Sequence, residues 1–225
     1  MNSVLRMHAR DKWSWIYIPW LILMSSFVIN LIISSLVQVE GGITTGGLAS
    51  IFCYMLVAGI MTINNTFPFA LGMNVRRTDY LIGTAAMALL VSAGTALAIF
   101  LLAYVEGRLI PGWGVSLHFF SLPFLESLSP FTRLAIFFVL VLYMFFQGFA
   151  IASVHRRFGR SGMMVLFGGL LAAGTLFSYL ASANGWWVSI GGWLVDHHRE
   201  LFWWTLPVTM LYMLVSYGLL RRSTV

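Results

Sequence analysis

Six long apolar runs constrain the fold of this chain more than any other feature of its sequence. Each is close to the roughly 20 residues that an α-helix needs to cross the hydrocarbon core of a bilayer. Of the 225 residues, 60% are hydrophobic and only 9% are charged, whereas about a quarter are charged in a typical soluble domain. The sequence therefore predicts an all-α polytopic membrane protein in which residues 1–225 form a single transmembrane domain. The predicted spans cover about residues 14–37, 48–66, 81–105, 131–154, 162–182 and 201–220.

The basic residues divide unevenly between the two sides that six spans would create. Lys and Arg in short loops mark the cytoplasmic side, so both termini are predicted to be cytoplasmic and the protein to lie in the cell membrane. The net charge of +6 then reflects orientation, and no nucleic-acid partner is expected. The predicted cytoplasmic side carries Arg6, Arg10, Lys12, Arg76, Arg77, Arg156, Arg157, Arg160, Arg221 and Arg222, and the other side carries Arg108, Arg133 and Arg199.

The predicted spans contain almost no ionisable group, and their polar side chains are hydroxyls and amides such as Asn30, Asn64 and Gln147. Ion-coupled transporters keep an ionisable residue within the membrane to bind the coupling ion. The chain also lacks the glycine-rich phosphate-binding motif of many ATPases. If the protein is a transporter, another chain must supply the energy, and this chain is not expected to be an enzyme.

The stretch 67–80, FPFALGMNVRRTDY, is predicted to be the place where such a partner docks. It combines paired arginines with bulky apolar side chains, and an unpartnered loop gains nothing by exposing such side chains to water. The arginines alone would fit the ordinary excess of positive charge on the cytoplasmic side. With the apolar residues beside them, they predict a short amphipathic helix on the cytoplasmic membrane surface.

The segments 69–83, 156–162 and 219–222 resemble corresponding positions in the permease subunits of ABC exporters of the type-two class, in the small Gram-positive form. The resemblance implies a coupling helix that seats in a cleft of a separate ABC ATPase subunit. It implies that ATP and Mg are bound by that partner and that this chain holds no cofactor. It also implies a second permease subunit, in a homo- or heterodimer. The implied ATPase contacts are Phe69, Leu71, Gly72, Arg76, Arg77 and Asp79, with a second cytosolic contact at Arg156, Arg157 and Arg160.

Small residues in the fifth run allow another helix to approach closely. Packing within one subunit and packing at a dimer interface both fit this pattern, and the family resemblance favours the dimer axis and the translocation path. An apolar path indicates an amphipathic or lipophilic substrate such as a drug, a peptide or a lipid. The dimer and path candidates are Gly168, Gly169, Ala172, Ala173, Phe177, Asn30 and Asn64.

The tryptophan-rich loop 183–200 is predicted to form short helices that dip into the outer leaflet, either as an exit gate or as an aromatic belt. The end of this loop holds residues of the types that bind metals, but neighbouring histidines do not share a helical face, so no metal site is predicted. These residues are Asp196, His197, His198 and Glu200.

Two alternatives to a transporter remain open. The first is a non-transporting membrane scaffold or immunity protein that binds a cytosolic partner through the same loops. The second is an intramembrane serine hydrolase, because Gly159–Gly162 has the G-x-S-G form and includes Ser161. A four-residue pattern is weak evidence for that chemistry.

Overall fold

The computed structural model describes residues 2–37, 42–121, 125 and 128–221; Arg222 lies outside this part of the chain, as do the side chains of His198 and Arg199. The described part of the chain is all-α apart from one short parallel pairing of β1 (Ile43–Thr44) with β2 (Leu117–His118). The helices are α1 (Asn2–Arg10), α2 (Ile18–Leu36), α3 (Ala49–Gly72), α4 (Arg77–Tyr104), α5 (Pro130–Ala183), α6 (Trp186–Asp196) and α7 (His198–Arg221). Trp13–Tyr17 and Val105–Leu109 are π-helical turns that continue into α2 and out of α4, and Pro111–Gly114 is a 3₁₀ turn.

In the described part of the chain, five helices are long and apolar enough to cross a membrane, as expected for a multi-pass membrane protein. They are Trp13–Leu36, Ala49–Gly72, Arg77–Leu109, Pro130–Ala183 and Glu200–Arg221. The fourth and fifth apolar runs both lie in α5, which has 54 residues. A straight helix of that length would measure roughly 80 Å, far more than a hydrocarbon core of about 30 Å.

Helix α5 is interrupted at Gly159, whose backbone has φ 64° and ψ −155°. This region of backbone conformation is open to glycine and to almost no other residue. The predicted spans 131–154 and 162–182 leave residues 155–161 as a connecting loop, and this is wrong, because the helix continues through 155–158 and resumes at residue 160. The break separates a first half of α5 (130–158) from a second half (160–183).

The first half of α5 is the centre of the bundle and packs against α3, α4 and α7. At its crossing with α3 the two backbones touch. A Cβ atom on Gly148 would overlap the carbonyl oxygen of Leu56, and a Cβ atom on Gly59 would overlap that of Phe145. Small residues at such a crossing let membrane helices approach closely, so these two glycines set the α3–α5 distance.

The bundle has two chemically different ends. At the end that we call the basic end, Arg77 of α4 reaches the last turn of α7, and Arg156 of α5 lies over Phe67 of α3. At the opposite end, the β1–β2 pairing and the segment after α4 cover the bundle, and the Ser34 hydroxyl donates to the carbonyl of Val115 at 2.8 Å.

Candidate functional site

The turn between α3 and α4 is built by a specific helix-ending motif. Asn74 adopts the left-handed conformation with φ 56°. The amide of Val75 donates to the carbonyl of Ala70 at 3.1 Å, and the amide of Asn74 donates to that of Leu71 at 2.9 Å. This is the Schellman arrangement, in which the chain past the helix satisfies its last carbonyls.

The predicted surface helix over 67–80 is consequently wrong. Residues up to Gly72 belong to α3, Met73–Arg76 form the turn, and Arg77 begins α4. The second span was predicted to end at residue 66, but α3 continues because Phe67 and Ala70 are fully buried in the core of the bundle. A helix–turn–helix whose α3 end is anchored in the core therefore presents this stretch at the basic end.

The six residues predicted to contact an ATPase here separate into two groups, three that are exposed and three that contact other parts of the chain. Phe69 is 58% exposed, and Gly72 and Arg76 are also exposed. Leu71 packs partly against the core, and Asp79 is half-buried with a partner within the chain.

Arg77 belongs to the second group, because its Nη1 donates to the carbonyls of Leu220 at 2.9 Å and Arg221 at 2.7 Å. A cation at the carboxyl end of a helix satisfies terminal carbonyls and interacts favourably with the helix dipole. Arg77 therefore holds α7 against α4.

The second predicted contact lies beside the first. The Arg156 guanidinium carbon lies 5.7 Å from the centre of the Phe67 ring, so the end of α3 and the Gly159 break are neighbours. Arg157 and Arg160 are exposed, and Arg157 has a partner within the chain. Phe158 between them is 56% exposed. We give the name basic-end surface to six of the exposed residues at this end: Phe69, Gly72, Met73, Arg76, Phe158 and Arg160.

Helix α1 docks on α4 next to this surface through a buried histidine. The His8 side chain is 1% exposed, its Nε2 hydrogen-bonds to the Thr84 hydroxyl at 3.0 Å, and its ring meets that of Trp15 edge-on. Burial lowers the pKa of His8 from its usual 6.5 to about 4, against a smaller opposing effect of Asp11. The docked helix therefore requires a neutral His8.

Acidification is expected to release α1. Because the pKa of His8 is lower in the docked state, its contribution to docking is complete above pH 6.5 and is lost as the pH falls towards 4. Between pH 6.5 and 5 the loss amounts to about 2 kcal/mol. A spin label at exposed position 6, in a Cys53→Ser background, should become more mobile at pH 5 than at pH 7. The His8→Gln variant should show no such change; equal mobility of the parent protein at both pH values would refute the prediction.

The structure does not bring the predicted path residues together within one chain. The Asn30 amide donates to the Ser26 carbonyl of its own helix at 2.8 Å, and Asn64 is exposed on α3. Phe177 is 51% exposed and packs edge-on against Trp187. A concavity of about 730 Å³ follows the second half of α5. Since this helix alone lines it, it is an open face and encloses no path.

The small residues predicted at the dimer axis are exposed on the same half of α5, but none of them lines that concavity. A Cβ atom on Gly168 or Gly169 would meet no heavy atom within 4 Å. Ala172 and Ala173 are exposed, as is nearly every residue of 160–183. The sequence left open that these small residues pack against another helix of the same subunit. Among the described residues, no helix of the same chain packs against them.

The loop 183–200 contains the short helix α6, as predicted, with Trp186, Trp187 and Trp193 exposed. His197 stacks on Trp193 and hydrogen-bonds to its carbonyl at 3.0 Å. No group of three possible metal ligands occurs in the described part of the chain, and the His198 side chain lies outside it. Ser161 is exposed and makes no hydrogen bond to a described histidine.

Sequence reasoning missed a buried carboxylate at the opposite end. Glu106 is fully buried in the π-helical turn after α4, so the long third helix does contain an acidic group near its end. Its oxygens accept from the amides of Phe119, Phe120 and Ser121, from the Ser121 hydroxyl and from the Trp113 indole. His118 Nδ1 lies 4.0 Å away. Glu106 therefore shapes the segment 113–121, and only its place at the end of an apolar run marked it in the sequence.

The chain matches no protein-family model, no curated protein and no solved structure.

Proposed function

We propose that the chain is the membrane-spanning permease subunit of an ATP-driven ABC exporter in the cell membrane. A separate ATPase subunit binds ATP and Mg and docks on the basic-end surface, which faces the cytoplasm. Two permease subunits pack together, and an amphipathic or lipophilic substrate such as a drug, a peptide or a lipid passes outward between them. In this topology the two halves of α5 are separate spans, which gives six in total.

The observation that carries the proposal is the composition and position of the basic-end surface. Its exposed aromatic rings, Phe69 and Phe158, lie beside cations at an end of the bundle, where the chain leaves the membrane. Exposed apolar side chains rimmed by charge mark protein–protein contacts. A short turn between two long helices also suits coupling, because a force applied to the turn acts directly on both α3 and α4.

The open face of 160–183 supports the second permease subunit. A lone helix with small residues on one side gains van der Waals contact when a second helix packs there. The concavity on this half of α5 would then lie beside the interface, and its apolar side chains fit the proposed substrate class.

Replacing Gly169 by leucine is expected to weaken the dimer without unfolding the subunit. The added side chain has open space within one chain but would separate two packed helices, which we expect to weaken association by about tenfold, or ~1.4 kcal/mol. Single-molecule photobleaching in liposomes at several protein densities measures this. Gly94→Leu is the matched control, because Gly94 also has open space, on α4. An unchanged dimer fraction for Gly169→Leu would exclude this face as the interface.

The scaffold or immunity alternative uses the same surface and differs only in the partner. Tagged protein is purified from native membranes in mild detergent, as wild type, Phe69→Asp/Arg76→Glu, and the control Arg108→Glu at the opposite end. Arg77 is left intact because it binds α7. A co-purifying ATPase that is lost only in the double variant supports the permease. A partner without nucleotide hydrolysis, lost in the same variant, would favour the scaffold.

A further inference from the structure

A cavity of about 440 Å³ lies between α4 and α5 at the end of the bundle opposite the basic end. Its volume is in the range of sites for small organic ligands. The cavity is formed where the end of α4 and its π-helical continuation face the first two turns of α5, and Phe120, Ser121 and Leu125 complete its lining. Segments 122–124 and 126–127, which flank the lining residue Leu125, lie outside the described residues.

The lining of this cavity is amphipathic. Phe100, Phe137 and Leu125 form an apolar part, while Arg108 and Arg133 contribute two guanidinium groups. These are two of the three basic residues that the charge pattern assigned to this side. Two of the basic residues at this end therefore line a single cavity, and the rest of its lining is largely apolar.

The two arginines have unused hydrogen-bonding capacity. Arg133 Nε is buried and has no hydrogen-bond partner, and within the described part of the chain neither arginine forms a salt bridge. Glu106 is near in sequence, but its oxygens already accept from Trp113 and from residues 119–121. A buried donor without an acceptor, such as the Nε of Arg133, is costly, so an anion that enters the cavity would supply a missing partner.

We infer that this cavity binds the anionic headgroup of a membrane amphiphile, a phosphate or carboxylate attached to an apolar chain. Guanidinium groups bind the oxygens of such anions through paired, charge-assisted hydrogen bonds. The apolar wall accommodates the start of the acyl chain, and the cavity lies at the ends of two spans, the level at which lipid headgroups lie. The inference does not depend on the proposed transport function.

Native mass spectrometry of the purified full chain tests the site. The probes are phosphatidylglycerol and phosphatidylcholine with identical acyl chains, and inorganic phosphate. We expect phosphatidylglycerol to bind about tenfold more tightly than phosphatidylcholine. Arg108→Gln and Arg133→Gln should each weaken the binding of phosphatidylglycerol about tenfold. Arg76→Gln, which removes an exposed cation at the basic end, should change nothing.

Four results would overturn the inference. The first three are equal binding of the two lipids, an affinity that does not change in either arginine variant, and a loss of affinity in Arg76→Gln equal to that in the other two. Displacement of phosphatidylglycerol by an equal concentration of inorganic phosphate would also do so, because the ligand would then be a soluble anion. Melting temperatures without lipid check the fold. Arg108 is exposed, so Arg108→Gln stays informative even if Arg133→Gln unfolds.

Discussion

Replacing Gly148 by leucine should destabilise the bundle more than any other single change considered for this chain. A Cβ atom at this position would overlap the carbonyl of Leu56, and backbone cannot move aside as a flexible side chain can. The first half of α5, which carries Gly148, also packs against α4 and α7, so a displaced α3–α5 crossing disturbs three helix contacts. Overpacking at such a site costs about 3 kcal/mol or more.

The loss is measured as the midpoint of thermal unfolding in detergent or as the yield of monodisperse protein. Gly94→Leu adds the same side chain to another membrane helix where a Cβ atom meets nothing within 4 Å. It should keep the wild-type midpoint. Equal midpoints for Gly148→Leu and wild type would mean that the two backbones do not touch at this crossing.

Replacing Glu106 by glutamine is expected to have the second largest effect. Five donors converge on the two oxygens of this carboxylate. Glutamine keeps one acceptor oxygen and places an NH₂ group against amides that also donate. Buried donors left without an acceptor cost about 1–3 kcal/mol each, so a loss of roughly 3 kcal/mol is expected, concentrated in residues 113–121.

Hydrogen exchange of that segment measures the effect locally, and thermal unfolding measures it globally. The amides of Phe119, Phe120 and Ser121 should exchange faster in Glu106→Gln, while those of α3 change little. Glu200→Gln is the control, because Glu200 is exposed at the start of α7. Unchanged protection of residues 119–121 would show that the carboxylate is not what holds the segment.

The long helices were predictable from the sequence because transfer into lipid depends on local composition. Each of the six apolar runs is helical over all but one residue or less of its length. Boundaries were less predictable: α3 passes residue 66 because Phe67 and Ala70 find a core formed by distant helices. The glycine break at Gly159 was misread as a loop, because one backbone conformation can interrupt a helix without a polar connecting segment.

The roles of single charged residues were the least predictable part of the site. Arg76 and Arg77 are adjacent and chemically identical, yet Arg76 is exposed while Arg77 binds carbonyls at the end of α7. Glu106 likewise depends on amides 13 to 15 residues further along the chain. Such contacts depend on how helices assemble, which local spacing does not encode.

Photo-crosslinking from the turn between α3 and α4 tests the coupling proposal most directly. A photoreactive amino acid replaces Met73, which is 57% exposed on the basic-end surface, and native membranes are irradiated before the adducts are identified by mass spectrometry. We predict one main protein adduct, a soluble ATPase with a phosphate-binding glycine loop, and no such adduct from Leu109, exposed at the opposite end. Adducts only with lipid, or with a protein that lacks a nucleotide-binding loop, would contradict the assignment as an ABC permease.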